Sequence, residues 1–115
     1  MAEERTLFER IIERDIPAEI LYEDDHCVGF RDINPQAPVH VLIVPRRPIP
    51  TLDDLTDDDQ ALAGHLLLAA RRVAEQEGLE AGYRVVINCK EHGLQSVAHL
   101  HLHLLGGRKM KWPPG

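Results

Sequence analysis

Cysteine is scarce in this 115-residue chain. Cys27 and Cys89 are the only two, and they form no metal-binding or redox spacing. Long apolar runs are missing too: the longest is the five residues 66–70. A membrane span needs ~20 apolar residues, so transmembrane helices are excluded. Residues 1–15 lack the apolar stretch of a secretory signal and carry Glu3, Glu4, Arg5, Glu9, Arg10, Glu13, Arg14 and Asp15 instead. With no signal expected and few cysteines, a reducing, cytoplasmic setting is the simplest expectation. Positive charge is also in deficit: 13 Lys and Arg against 19 Asp and Glu leave a net charge of −6. Such a chain is a poor partner for duplex nucleic acid, whose non-specific affinity comes from phosphate neutralisation. A small anionic substrate would have to be held by local dipoles and a few cationic groups. Repeats, low-complexity tracts and linkers are absent as well, which leaves a single domain over residues 1–115.

What is present is a core. Leu, Ile, Val and Phe supply 33 residues, well above the level of a disordered chain. Thr6-Leu7-Phe8-Glu9 has the capping-box form of a helix start, and Pro17 is expected to stop that short helix. Glu19–Glu23 and Cys27–Arg31 read as a hairpin turned at Asp24-Asp25. Residues 32–38 hold two prolines and form a loop, after which Val39–Pro45 suits a buried strand. Thr56 should cap a long helix with Asp57, Asp58 and Asp59 in its first turn. Leu62, Leu66, Ala69, Ala70 and Val73 make that helix's buried stripe, and Gly78 its end. Tyr83–Cys89 and Val97–Leu105 read as strands around a loop at residues 90–95, and the Trp-Pro-Pro-Gly tail cannot be helical. The expected class is α+β: about five mostly antiparallel strands with one long and one short helix.

Seven histidines are many for this length, and His99-Leu100-His101-Leu102-His103 is the informative run. On a strand the three histidines share one face at ~6.7 Å spacing, with the leucines behind them. Crowded imidazoles disfavour the charged form, so each stays neutral near pH 7. A neutral imidazole is a metal ligand or a nucleophile. As ligands, the outer two are ~13 Å apart at Cα and cannot easily share one ion, so a zinc site would take two of them plus another group such as His40. As a nucleophile, an imidazole can attack phosphorus and form a covalent intermediate that water hydrolyses. Ser96, Asn88 and the backbone N–H groups of residues 90–95 are then candidate phosphate partners.

These residues, with their flanks, resemble the histidine-triad (HIT) family, and within it the Hint branch of purine nucleoside phosphoramidases. The resemblance rests on His99-Leu-His101-Leu-His103-Leu-Leu and on Asp32-Ile33-Asn34-Pro35-Gln36-Ala37-Pro38-Val39-His40. Gly82-Tyr83-Arg84, Gln95-Ser96-Val97, Leu105-Gly106-Gly107-Arg108 and the Trp112-Pro113-Pro114-Gly115 ending extend it. It implies a HIT-like α+β fold, a homodimer whose two sheets join, and cleavage of the P–N bond of adenosine or guanosine 5′-monophosphoramidates. No cofactor and no catalytic metal is implied. By resemblance His101 is the nucleophile; His103 and His40 support the phosphate and the cluster, and His99 fixes the cluster through hydrogen bonds. Ser96 assists the departing amine. Asp32 takes the ribose hydroxyls; Ile33, Phe8, Ile11 and Phe30 line the purine slot; Asn88, Leu94 and Gln95 attend the phosphate side. Trp112 resembles the tail aromatic that reaches toward the partner's pocket. For Phe8, Ile11 and Phe30, plain core packing is the competing reading.

One residue departs from the family pattern. A second glycine usually precedes Gln95, and here it is Leu94, which would be strained at positive φ and could crowd the leaving group. The alternatives to a phosphoramidase are a purine nucleotide-binding regulatory or scaffold protein with little turnover, and a His-ligated zinc-binding protein.

Overall fold

The computed structural model describes residues 5–115, so Glu3 and Glu4 of the N-terminal reading lie outside the described residues. Thr6 caps helix α1 (Leu7–Ile12): its hydroxyl accepts the Glu9 N–H while the Glu9 carboxylate accepts the Thr6 N–H, which is the expected capping box. The helix ends five residues before Pro17. Arg14 takes φ 67°, and the Arg14 and Asp15 N–H groups fold back onto Ile11 and Arg10 carbonyls. This is the closure usually given to glycine, here adopted by arginine.

Strands β1 (Ile20–Glu23) and β2 (Cys27–Arg31) form the expected hairpin. Asp24 shapes its turn by accepting the His26 and Cys27 N–H groups. Strand β3 is Val39–Pro45, as expected. A 3-10 turn at Leu52–Asp54 leads to a second at Asp57–Asp59, which runs into helix α2 (Gln60–Gln76). Thr56 therefore caps the 3-10 turn rather than α2 itself. Asp59, bound to the Thr56 N–H and the Arg47 guanidinium, closes the entry. Gly78 at φ 70° ends α2, with its N–H on the Glu75 carbonyl and the Leu79 N–H on Ala74.

Both remaining strands are shorter than expected. Strand β4 is Tyr83–Val86 and strand β5 is Leu102–Gly106. The alternation of His and Leu suggests a strand from residue 97, but a strand needs a partner. Beyond Ile43↔Leu102 the β3 edge runs to Pro45, which has no N–H to donate. The Leu100 N–H turns instead to the Ile49 carbonyl, and the His99 N–H closes on Val97. Since β4 pairs only with β5, its ladder ends at Val86↔His103.

The five strands form one antiparallel sheet in the order β1-β2-β3-β5-β4. Val41 and Ile43, Leu102 and Leu104 face α2, where Leu66, Ala69, Ala70 and Val73 complete a core. Val28, Phe30, Leu42 and Val44 face the other way and pack against Phe8 and Ile11 of α1. The pleat puts His40 and His103 on this second face, beside the smaller core. No helix among the described residues is long and apolar enough to cross a membrane.

Leu104 is fully buried between sheet and α2. Leu104→Ala should therefore destabilise the fold by ~2–5 kcal/mol, read as a lower urea midpoint at unchanged slope. A loss below ~1 kcal/mol would contradict this placement of the core.

Candidate active site

Four histidines meet between β3, β5 and α1, and fixed backbone groups decide which ring nitrogen of each carries the proton. The His40 Nδ1 faces the Gln36 N–H at 3.0 Å. A backbone N–H can only donate, so Nδ1 accepts and Nε2 holds the hydrogen. That Nε2–H points to the His103 Nδ1 at 2.9 Å, so His103 in turn carries its hydrogen on Nε2. The His101 Nδ1 lies 2.7 Å from the His99 carbonyl, which can only accept. His101 is therefore an Nδ1–H donor with its lone pair on Nε2. The His99 Nε2–H donates to the Pro45 carbonyl at 2.8 Å, which leaves Nδ1 to accept from the Thr6 hydroxyl, also at 2.8 Å.

All four rings are held neutral near pH 7. Burial pushes the pKa values of His40, His99 and His101 down from the usual histidine value. His103 falls to about 4, through burial first and then the nearby His101 and His40. Crowding, the cause inferred from the sequence, is thus secondary to desolvation. The three triad rings also do not share one wet face. His99 is fully buried and bound at both nitrogens, whereas the His101 and His103 rings meet edge to face at 4.9 Å.

His101 and His103 line a cavity of about 250 Å3 together with Asp32, Ile33, Ser96, Phe8, Ile11 and Phe30. His101 is only 3% exposed, yet among the described residues no sealed side-chain N or O lacks a partner. Its unbonded Nε2 is thus open to the cavity. Phe8 has both competing roles: it packs in the smaller core and also sets its ring edge to face against His101 at 4.8 Å. Phe30 and Ile11 likewise belong to that core and to the cavity wall. Ile33 is 94% exposed at the rim. One carboxylate oxygen of Asp32 accepts the Asn34 N–H, and the other lies 3.5 Å from the His40 Nε2.

Asn88, Leu94 and Gln95 do not join this wall. The Asn88 amide donates to the Gly93 carbonyl at 2.6 Å. Gln95 accepts the Lys90 N–H and donates to the Pro50 and Val97 carbonyls. The two amides clamp the loop at residues 90–95. Gly93 is required there because a Cβ would lie 2.4 Å from the Cys89 carbonyl oxygen. Leu94 does take positive φ, at 61°, but it is 83% exposed and its N–H is bound to Glu91, so its side chain does not fill the cavity. Thr6, Gln36 and Pro45 orient the histidines without having been singled out for that role. The Thr6 capping signal was visible in sequence; the two backbone groups left none.

Two groups of potential metal ligands occur among the described residues: Asp32, His40, His103 and Asp24, Cys27, His65. The first does not fit an ion well, because the Gln36 N–H forces the hydrogen of His40 onto the very Nε2 that would ligate. In the second, the His65 Nε2–H is bound to Asp24 at 2.7 Å, and burial pushes the Cys27 thiol up to about 12.

The HIT domain family model matches residues 13–110. An uncharacterized HIT-like protein of Synechococcus elongatus is 58% identical over 97% of this chain and 98% of its own. A 14 kDa zinc-binding protein of maize is 53% identical over 96% and 88%. Among solved structures, a HIT family hydrolase from Legionella pneumophila superposes with a TM-score of 0.94 at 50% identity, covering 96% of this chain and all of its own. A histidine triad nucleotide-binding protein from Candida albicans gives 0.80 at 28% identity, covering 96% and 85%.

Histidines held neutral in the fold take up protons more readily when unfolded. Their contribution is fully present above the unfolded pKa of ~6.5 and is lost as pH falls toward about 4, the value for His103. The melting temperature should drop between these limits, and His103→Asn should flatten the drop. Equal pH dependence in both proteins would contradict the neutral assignment of His103.

Proposed function

The chain belongs to the HIT family, and from that premise we propose that it is a purine nucleoside phosphoramidase. The observation that supports this most is the neutral His101, its Nδ1–H held by a carbonyl and its Nε2 lone pair open to an apolar cavity with Asp32 at the wall. The apolar wall of Phe8, Ile11, Phe30 and Ile33 suits a purine base. The Asp32 carboxylate accepts the ribose hydroxyls, since one carboxylate can take two hydrogen bonds.

In the proposed reaction the His101 Nε2 attacks the α-phosphorus of an adenosine or guanosine 5′-phosphoramidate. The N–P bond forms as the bond from phosphorus to the amine nitrogen breaks. Ser96 hands its hydroxyl proton to that nitrogen and takes one from a solvent water in the cavity, so the amine leaves neutral. Charge on the phosphoryl oxygens is met by the His103 Nε2–H, whose orientation is set by His40 and ultimately by the Gln36 N–H. Water then attacks the nucleotidyl-histidine, releasing the nucleoside monophosphate and restoring the free imidazole. As His101 Nε2 bonds to phosphorus the ring becomes cationic, and its Nδ1–H bond to the His99 carbonyl strengthens.

The proposal includes a homodimer and a cytoplasmic site of action. Strand β4 is an edge of the sheet, and Trp112 stands exposed on a tail that Arg84 holds through the Lys111 carbonyl. An edge strand and an exposed aromatic tail are the features such an association would use.

The test is steady-state turnover of adenosine 5′-phosphoramidate by wild type and His101→Ala. Removing a covalent nucleophile should lower kcat by ~10³-fold or more, with the fold retained by circular dichroism. Equal rates would remove His101 from the chemistry. Binding of adenosine monophosphate without any turnover by the wild type would instead favour a nucleotide-binding regulator.

A further inference from the structure

The hydroxyl of Thr6 has two partners, one three residues away in sequence and the other 93. It accepts the Glu9 N–H at 3.0 Å, as any helix cap does, and it stands 2.8 Å from the His99 Nδ1. Because the His99 Nε2 must donate to the Pro45 carbonyl, the second contact requires the threonine O–H as donor. The His99 ring is thereby pinned at both nitrogens, and the peptide it belongs to carries the carbonyl that holds the His101 Nδ1–H at 2.7 Å.

We infer that Thr6 is a positioning residue for the nucleophile: by donating to His99 it fixes that ring's neutral form and, through the His99 peptide, the orientation of His101. This rests on the phosphoramidase reading for its kinetic consequence but not for its structural one. It also ties the base-binding wall to the reacting group. Thr6 starts the helix that carries Phe8 and Ile11, and the Phe8 ring lies 6.0 Å from the His99 ring and 4.8 Å from the His101 ring. Helix, purine slot and nucleophile are seated by one hydroxyl.

Capping and donation can be separated chemically. Ser, Asn and Asp are all good N-caps. Serine and asparagine can also donate, the first through O–H and the second through NH2, whereas an ionised aspartate only accepts. Against a carboxylate the His99 Nδ1 must acquire a proton while Nε2 stays bound to Pro45, which makes the ring an imidazolium. The charged and titratable groups that bear on His99 are Glu9 on α1, which favours this cation, and His101, which opposes it.

The experiment compares Thr6→Ser, Thr6→Asn and Thr6→Asp, reading histidine side-chain nitrogens by 15N NMR near neutral pH and turnover of adenosine 5′-phosphoramidate. Wild type, Thr6→Ser and Thr6→Asn should show His99 as the neutral Nε2–H form. Their kcat should lie within about threefold of one another. Thr6→Asp should show a cationic His99, with kcat lowered ~10-fold or more and KM little changed. A neutral His99 in Thr6→Asp, or kcat values for Thr6→Asn and Thr6→Asp that agree, would reduce Thr6 to a helix cap and overturn the inference. If wild type hydrolyses no phosphoramidate while the His99 spectra divide as described, the activity assignment fails and the positioning role of Thr6 stands.

Discussion

A single hydrogen bond that cannot be reversed sets the chemistry of this protein: the His101 Nδ1–H to the His99 carbonyl. A carbonyl has no proton to give, so the imidazole must donate, and in the neutral ring the other nitrogen then holds the lone pair. Tautomers in water exchange freely; here backbone groups choose among them. The same logic runs through His40, where the Gln36 N–H obliges the ring to accept at Nδ1 and hence to pass a hydrogen to His103. One ring then presents a lone pair to the cavity and its neighbour an N–H. Those are the two things a phosphoryl centre needs, an attacking pair and a donor for its oxygens. Burial keeps both rings uncharged, and without that the lone pair would be lost to a proton.

The fold serves this arrangement by splitting its core in two. The sheet presents Val41, Ile43, Leu102 and Leu104 to α2, which secures it, and leaves the opposite face to His40, His103 and the smaller cluster under α1. Phe8, Ile11 and Phe30 are both core and cavity wall, so the cavity is a place where packing is incomplete rather than a separate structure. Pro45 has two consequences at once. Lacking an N–H, it ends the β3–β5 ladder early, and its carbonyl anchors His99 in the bend that results.

Much of this was legible in the residues. The capping box at Thr6 and Glu9, the hairpin turn at Asp24 and the Gly78 helix end are local devices, and each appears where its chemistry requires. The histidine run marked out the cluster that gathers at the cavity, because alternation and residue type coincided. What escaped was the pairing of particular polar and backbone groups. The strand from residue 97 had the right alternation but no ladder to join. The amides of Asn88 and Gln95 have the chemistry of ligand contacts, yet here they bond backbone groups: Asn88 the Gly93 carbonyl, Gln95 the Lys90 N–H and the Pro50 and Val97 carbonyls. The positive φ of Leu94, by contrast, was legible from its place at a glycine position, and a turn closed by Lys90, Glu91 and Gln95 holds it there.

The most direct measurement is rapid base-quench of the protein during turnover of a nucleoside phosphoramidate, followed by peptide mapping by mass spectrometry under alkaline conditions. An unprotonated His101 Nε2 acting as nucleophile requires a nucleotidyl mass on the peptide carrying His101, stable in base and labile in acid, at a site whose modification is absent from His101→Ala. Turnover with no covalent adduct, or with the nucleotide on His103 instead, would contradict the account.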